Sequence, residues 1–290
     1  MIDAHLHLVS AGLPGGKPKP PWWDALLNDP AAMAQSISEE MERSGIDTVL
    51  AMGSLSAPAD DPLGINGSLR IAALTKGVKI IGAADPRKSG PEHFAAVDRV
   101  LTRERGRVVA LKAYLGYLHF HASDPRYRPY YELAEKHDIP VVLHTGDTWS
   151  TTAKLEYAHP LKIDEVAVDH PRVRFVIAHF GNPWILDAAA VIYKNDNVWT
   201  DLSGLVVGDR KTLVELARAA RDPRSELAGI FEPIRRGLLY TEKPDRWIFG
   251  TDWPLVPIAE YRELVEAVVP EEHHAAVFTE NPRKLFRLEA

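Results

Sequence analysis

The sequence of 290 residues contains no cysteine, which excludes a disulfide framework, a thiolate metal site and a cysteine nucleophile. Any metal has to be held by His, Asp, Glu or a modified Lys. Basic charge is also scarce: 34 Lys and Arg stand against 40 Asp and Glu, a net charge of -6. No run of Lys or Arg supplies the footprint that nucleic acid demands. No apolar stretch is long enough to span a bilayer. The N-terminus lacks the basic, apolar and small-residue order of a secretory signal. A cytoplasmic protein without nucleic-acid or membrane partners is therefore expected. What remains is the composition of an ordinary globular chain, 46% hydrophobic and 26% charged.

Eight short apolar runs recur, at residues 2–9, 48–52, 78–85, 108–114, 140–144, 174–179, 197–202 and 247–252. Each leads into a segment of helical pattern or a loop. Most are continuous Val, Ile, Leu and Ala, as expected of parallel strands buried on both faces. Asp29-Pro30 opens a helical stretch that stops at Ser44-Gly45, and Ser89-Gly90-Pro91 opens another that ends near Gly106. Asn182-Pro183 and Asn281-Pro282 repeat the cap-then-proline device. Eight such units predict a (β/α)8 TIM barrel forming one domain over residues 1–290. The rival, a doubly wound Rossmann sheet, would carry Gly-x-Gly-x-x-Gly after an early strand; residues 10–21 are rich in Gly and Pro without it.

Barrel chemistry sits at the carboxyl ends of the strands, so the loops there matter. The first, residues 10–28, carries Pro20-Pro21-Trp22-Trp23, whose tryptophans are expected to pack on the barrel rim. The fourth, 115–128, carries Tyr117, His119, His121, Arg126 and Arg128. Residues 204–245 are expected to contain an extra helix before the eighth strand.

His5-Leu6-His7 lies on the first run, where residues two apart share a face, so both imidazoles project together while Leu6 points away. Neutral imidazoles are common zinc ligands. Taken alone the pair fits a solvated strand end equally well, and the other strand ends decide between the two. Val141-Val142-Leu143-His144 closes the fifth strand, Phe175-Val176-Ile177-Ala178-His179 the sixth, and Ile248-Phe249-Gly250-Thr251-Asp252 the eighth. Four histidines and one aspartate thus converge on one mouth, a set suited to three-His-plus-carboxylate metal chemistry. The remaining histidines (93, 119, 121, 137, 159, 170, 273 and 274) fall in loops or helices and carry no such signal.

Ile2-Asp3-Ala4-His5-Leu6-His7, Val142-Leu143-His144-Thr145-Gly146, Ile177-Ala178-His179-Phe180-Gly181, Phe249-Gly250-Thr251-Asp252-Trp253-Pro254 and Glu280-Asn281-Pro282-Arg283-Lys284-Leu285-Phe286 resemble, in that order, the amidohydrolase superfamily. Within it they look like the amidohydrolase-related branch that includes aminocarboxymuconate-semialdehyde decarboxylase-like enzymes. The resemblance runs from residue 2 to about 287. It implies His5, His7, His144 and Asp252 as ligands of one divalent ion, zinc first, with manganese, iron or cobalt sharing the donor preference. It implies His179 beside the metal-bound water as proton carrier, and Asp252 as both ligand and base. Oligomers are common in the branch, so a homo-oligomer is implied too.

Lys112, in Val108-Val109-Ala110-Leu111-Lys112-Ala113-Tyr114, has more than one reading. Binuclear members of the superfamily carry a carboxylated lysine on the fourth strand, which would pass His144 and His179 to a second ion. A free ammonium would instead bind a substrate carboxylate or developing oxyanion, and a rim lysine would simply snorkel to solvent. The single-metal site with a substrate-facing Lys112 is the expectation, with Arg126 as a second substrate-binding cation.

Activity is expected to be hydrolysis of a small amide, ester or lactone, one bearing a carboxylate, by a metal-activated water. The alternative is metal-dependent, non-oxidative decarboxylation of a small carboxylic acid. A non-catalytic barrel would have let the ligand positions decay, and all five are intact.

Overall fold

The computed structural model describes residues 1–16 and 21–289, except the side chains of Pro21, Trp22 and Asp24. Pro20 and the packing expected of Trp22 lie outside the described part. Eight parallel strands run in sequence order around one sheet: β1 Ile2–Leu6, β2 Thr48–Met52, β3 Val78–Ala84, β4 Val108–Ala113, β5 Val141–Leu143, β6 Phe175–Ile177, β7 Val198–Asp201 and β8 Trp247–Ile248. The Ala4 N–H donates to the Phe249 carbonyl at 3.0 Å and the His7 N–H to the Trp253 carbonyl at 2.8 Å, which joins the eighth strand to the first. The chain is a (β/α)8 barrel.

The expected strands are present; β2 keeps its expected limits, and the other seven end short of theirs at the carboxyl end. β1 stops at Leu6 and β8 at Ile248, because the backbone leaves the ladder to carry the residues that follow into the barrel mouth. The helix Pro30–Ser44 keeps its predicted limits: the Asp29 carboxylate accepts from the Ala31 and Ala32 N–H groups, and Gly45 closes it at φ 68°. The two other cap-then-proline sites behave differently. The helix after Asn182-Pro183 starts only at Ile185. Asn281 lies inside its helix, Asn281–Phe286, and donates to the Pro244 and Trp247 carbonyls instead of capping. Residues 204–245 contain two helices, Arg210–Arg221 and Glu232–Thr241, so the extra helix is present.

Among the described residues, two of the buried apolar clusters form layers of the core. One lies between strands and helices and includes Leu6, Val49, Leu111 and Leu143. The other fills the barrel and includes Ile2, Ala4, Leu50, Val142, Val176, Trp199 and Ile248, with Leu285, Phe286 and Leu288. Strand alternation follows from this: Val142 faces the interior, so two residues on His144 does too. β1 departs from strict alternation. Its pairing with β2 shifts register between Asp3 and Leu6, so Ile2 and Ala4 join the interior layer while His5 and His7 reach the mouth and Leu6 packs outward. Bulges commonly re-aim side chains beside active sites.

Candidate metal centre and active site

A cavity of about 600 Å³ opens at the carboxyl ends of the strands. Its floor holds His5, His7, Lys112, His144, His179 and Asp252, and its walls include Leu13, Tyr114, Tyr117, Trp149 and Leu255. Two loops meet over it: Gly16 bridges Ser150, whose hydroxyl donates to the Pro14 carbonyl at 2.7 Å. Trp23 lines the cavity and so sits at the mouth, as part of the site's wall.

Two groups of three donors form among the described residues: His5, His7 and Asp252, and His5, His179 and Asp201. Asp252 Oδ1 lies 3.2 Å from His7 Nε2 and 3.8 Å from His5 Nε2. Donors held tetrahedrally about 2.0–2.2 Å from a zinc-type ion stand roughly 3.3–3.6 Å apart, so this spacing fits a metal. His144 belongs to neither group. It adjoins the set through His179, with ring centroids 5.2 Å apart, and its Nδ1 bonds the Leu115 carbonyl at 2.8 Å.

Electrostatics favour the forms a metal needs. Burial lowers His5 to about 4, and burial likewise pushes His144 and His179 below the ordinary imidazole range. All three are therefore neutral at pH 7, the ligand form. Burial by itself would raise Asp252, but the His7 contact and the nearby His179 and His5 outweigh it and hold the carboxyl well below its usual range. The backbone at both His179 (φ 58°) and Asp252 (φ 68°) is left-handed, uncommon for residues with a Cβ and frequent at functional sites.

Lys112 is 1% exposed, and its ammonium has no hydrogen-bond partner among the described residues. It stands 5.7 Å from the Tyr114 ring centroid. Burial lowers it to about 8, against the attraction of Asp201 and Asp252. Arg126, the other expected substrate cation, is not in the cavity. It is half exposed, its guanidinium donates to both Asp124 oxygens at 2.7 Å, and it stacks 3.9 Å over the Phe120 ring. Asp124, two residues earlier, captures it locally. Arg128 is exposed too and pairs with Glu132.

Asp201, the last residue of β7, is a further residue of this cluster and was not among the expected site residues. It is 1% exposed, and its Oδ2 lies 2.9 Å from His5 Nδ1. Its Oδ1 accepts from the His179 N–H at 3.0 Å and from the N–H and hydroxyl of Ser203 at 3.1 and 2.5 Å. The strand-end signal that singled out Asp252 was available here as well. Asp3 is a further buried carboxylate, tying β1 to the eighth strand by accepting the Thr251 hydroxyl at 2.6 Å; burial raises it to about 7. Gly250 leaves room for this packing, since a Cβ there would meet the His5 Cβ at 2.8 Å.

The amidohydrolase family model matches residues 2–288. The chain belongs to the amidohydrolase family. It is 25% identical over 188 residues to a gamma-resorcylate decarboxylase of Rhodococcus jostii strain RHA1, a match that takes in 57% of this chain and 55% of that protein. The chain thus spans about half the length of this curated relative. Among solved structures, a manganese-bound 5-carboxyvanillate decarboxylase of Novosphingobium aromaticivorans superposes with TM-score 0.67 at 13% identity, covering 99% of this chain and 97% of that one. A probable 2-pyrone-4,6-dicarboxylic acid hydrolase of Acinetobacter baumannii superposes with TM-score 0.66 at 15% identity, covering 99% and 98%. These likenesses show a shared fold. Of membrane association the structure says one thing: no helix among the described residues is long and apolar enough to cross a bilayer.

Proposed function

We propose that this amidohydrolase-family enzyme is a metal-dependent lyase that removes carbon dioxide, without net oxidation, from a small hydroxylated carboxylic acid. One divalent ion would be held by His5, His7, His144 and Asp252. The observation that carries this reading is the setting of Lys112, a buried ammonium without a partner among the described residues, in an aromatic-walled cavity beside donors spaced for a dication. Such a cavity suits a planar anion. Its apolar walls favour a step that turns a localised carboxylate into neutral carbon dioxide and a delocalised anion. The sequence relation to gamma-resorcylate decarboxylase supports the same class of reaction over the earlier expectation of hydrolysis.

The bound ion, zinc or a metal of similar preference such as manganese, would supply positive charge for the substrate oxygens. Lys112 pairs with an acidic oxygen that stays on the substrate. His179 accepts the substrate's hydroxyl proton at Nε2 and delivers it to the carbon bearing the carboxylate. The carbon–carbon bond then breaks, its electron pair returns to the substrate's conjugated system, and carbon dioxide departs. Asp252 stays ionised among the donors.

A second reading, hydrolysis of a carboxylate-bearing lactone, ester or amide, is favoured by Asp252 itself. Its Oδ1 faces His5 and His7, which leaves Oδ2 to take a proton from an attacking water. Metal-reconstituted protein incubated with a panel of hydroxybenzoates and carboxylated lactones separates the two. Carbon dioxide released one-for-one with substrate is expected; lactone opening without carbon dioxide would overturn the lyase reading.

A further inference from the structure

Asp201 and Ser203 line up behind the two histidines that the proposed chemistry uses differently, and the donors and acceptors around them leave little freedom. Asp201 Oδ1 meets two backbone N–H groups, those of His179 and Ser203, at 3.0 and 3.1 Å. A backbone amide only donates, so Oδ1 is an acceptor and carries no proton. The Ser203 hydroxyl, 2.5 Å from the same oxygen, must therefore spend its single hydrogen there. Toward any other neighbour it can only accept.

One such neighbour is His179 Nδ1, at 2.8 Å. The Ser203 carbonyl, also an acceptor, lies 3.2 Å from the same nitrogen. Both contacts require a proton on Nδ1, so the neutral ring bears its lone pair on Nε2. On the other side of the carboxylate, Oδ2 meets His5 Nδ1 at 2.9 Å, with the Ser203 hydroxyl a weaker second acceptor at 3.2 Å. His5 is thereby protonated at Nδ1 as well, and its bare Nε2 is the atom that faces Asp252 Oδ1.

We propose that Asp201 and Ser203 are positioning residues that set the tautomers of the site: Asp201 commits His5 Nε2 to the metal, and Ser203 commits His179 Nε2 to accepting a proton. One carboxylate and one hydroxyl thus give two neighbouring imidazoles separate tasks. Outer partners of this kind orient metal-binding histidines and raise their basicity. The use of His179 as proton acceptor rests on the decarboxylation reading; the tautomers do not.

The two residues predict crossed effects. In Asp201→Asn the backbone donors keep the amide oxygen at the Oδ1 position, so the amide nitrogen faces His5 Nδ1. The amide nitrogen donates, so His5 Nδ1 must accept, and the His5 proton moves to Nε2, where it blocks the metal. Ser203→Ala removes the nearer acceptor of His179 and leaves the Asp201–His5 pair in place.

The test uses zinc-loaded protein with 15N-labelled histidine. Long-range proton–nitrogen spectra read the His179 tautomer, assigned through His179→Gln, and chelator competition reads the zinc Kd. Wild type is expected to show His179 protonated at Nδ1. Asp201→Asn should weaken zinc binding by about ten- to a hundredfold while the His179 signals of the saturated protein stay put. Ser203→Ala should leave the zinc Kd within about twofold, an estimate from the intact His5 partner, and shift His179 toward a tautomer mixture that Ser203→Thr restores. A wild-type His179 protonated at Nε2, an unchanged Kd in Asp201→Asn, or both readouts moving together in either variant would overturn the proposal. If Asp201→Asn does not fold, the Ser203 pair still decides the His179 half. None of these readouts depends on which substrate is turned over.

Discussion

At the amino end of the barrel the strands meet Leu285, Phe286 and Leu288, and the interior there is Ile2, Val109, Trp199 and Ile248. A few residues further along the same strands, the buried positions are His5, Lys112, His144 and Asp201. The lower end is apolar and buried. The upper end buries groups that water would hydrate better, one of them an ammonium without a partner among the described residues. Both ends share one backbone and one sheet, so the contrast is a division of labour within each strand: stability below, chemistry above. Proteins commonly give up stability where a site must hold polar groups ready.

The contrast can be broken first at its strongest point. Asp252→Ala is expected to reduce turnover by more than about a hundredfold, beyond the usual effect of losing an outer partner, and to deplete the metal found by elemental analysis. Retained activity with full metal content would remove Asp252 from the donor set. At the other end, Phe286→Ala should cost about 3–5 kcal/mol of stability in urea unfolding while turnover per folded molecule holds. A comparable loss in both would mean that the two ends are not separable.

Lys112→Met should lower kcat/KM by roughly ten- to a hundredfold, the worth of a hydrogen bond to a charged group, and raise the melting temperature, since an unpaired buried charge gives way to an apolar chain. A fall in both would show Lys112 supporting the fold. Acid should weaken the upper end of the metal-free protein. His5, at about 4 when folded, and the lowered His144 and His179 bind fewer protons folded than unfolded, so their contribution is complete above about 6.5 and is lost as pH falls toward 4. Asp3, raised to about 7, works in the opposite sense, since its folded form holds the proton longer and its contribution declines as pH rises from about 4 to 7. Asp3→Asn should therefore steepen the acid loss, as urea midpoints at pH 5 and 7 would register. The smallest effect is expected of Arg126→Ala, for which kcat/KM should match wild type; a raised KM would bring that loop back into the site.

Much of the site was legible because strand ends are local features. A histidine after Val141-Val142-Leu143 and another after Phe175-Val176-Ile177-Ala178 announce themselves by a polar residue closing an apolar run. Asp201 closes Val198-Trp199-Thr200 in the same way, yet its importance comes from His5, 196 residues away, and no local pattern records that contact. Arg126 misled for the opposite reason: its charge pointed to a substrate, while Asp124 beside it had already claimed the guanidinium. Strand limits slipped at the carboxyl ends because leaving the ladder there is a tertiary event.

The sequence by itself determined the barrel, through eight apolar runs of the right length and punctuation, and determined that His5, His7, His144, His179 and Asp252 share one mouth. Burial on two faces and a two-residue repeat are properties of single strands, and a linear pattern encodes them. Only the tertiary structure decided which of those side chains touch, where His144 stands relative to the three-donor group, that Lys112 is buried without a partner among the described residues, and that Asp201 and Ser203 contact His5 and His179. Those outcomes depend on distances between strands far apart in the chain, on the register shift in β1 and on the exclusion of water, and none of these exists until the barrel closes.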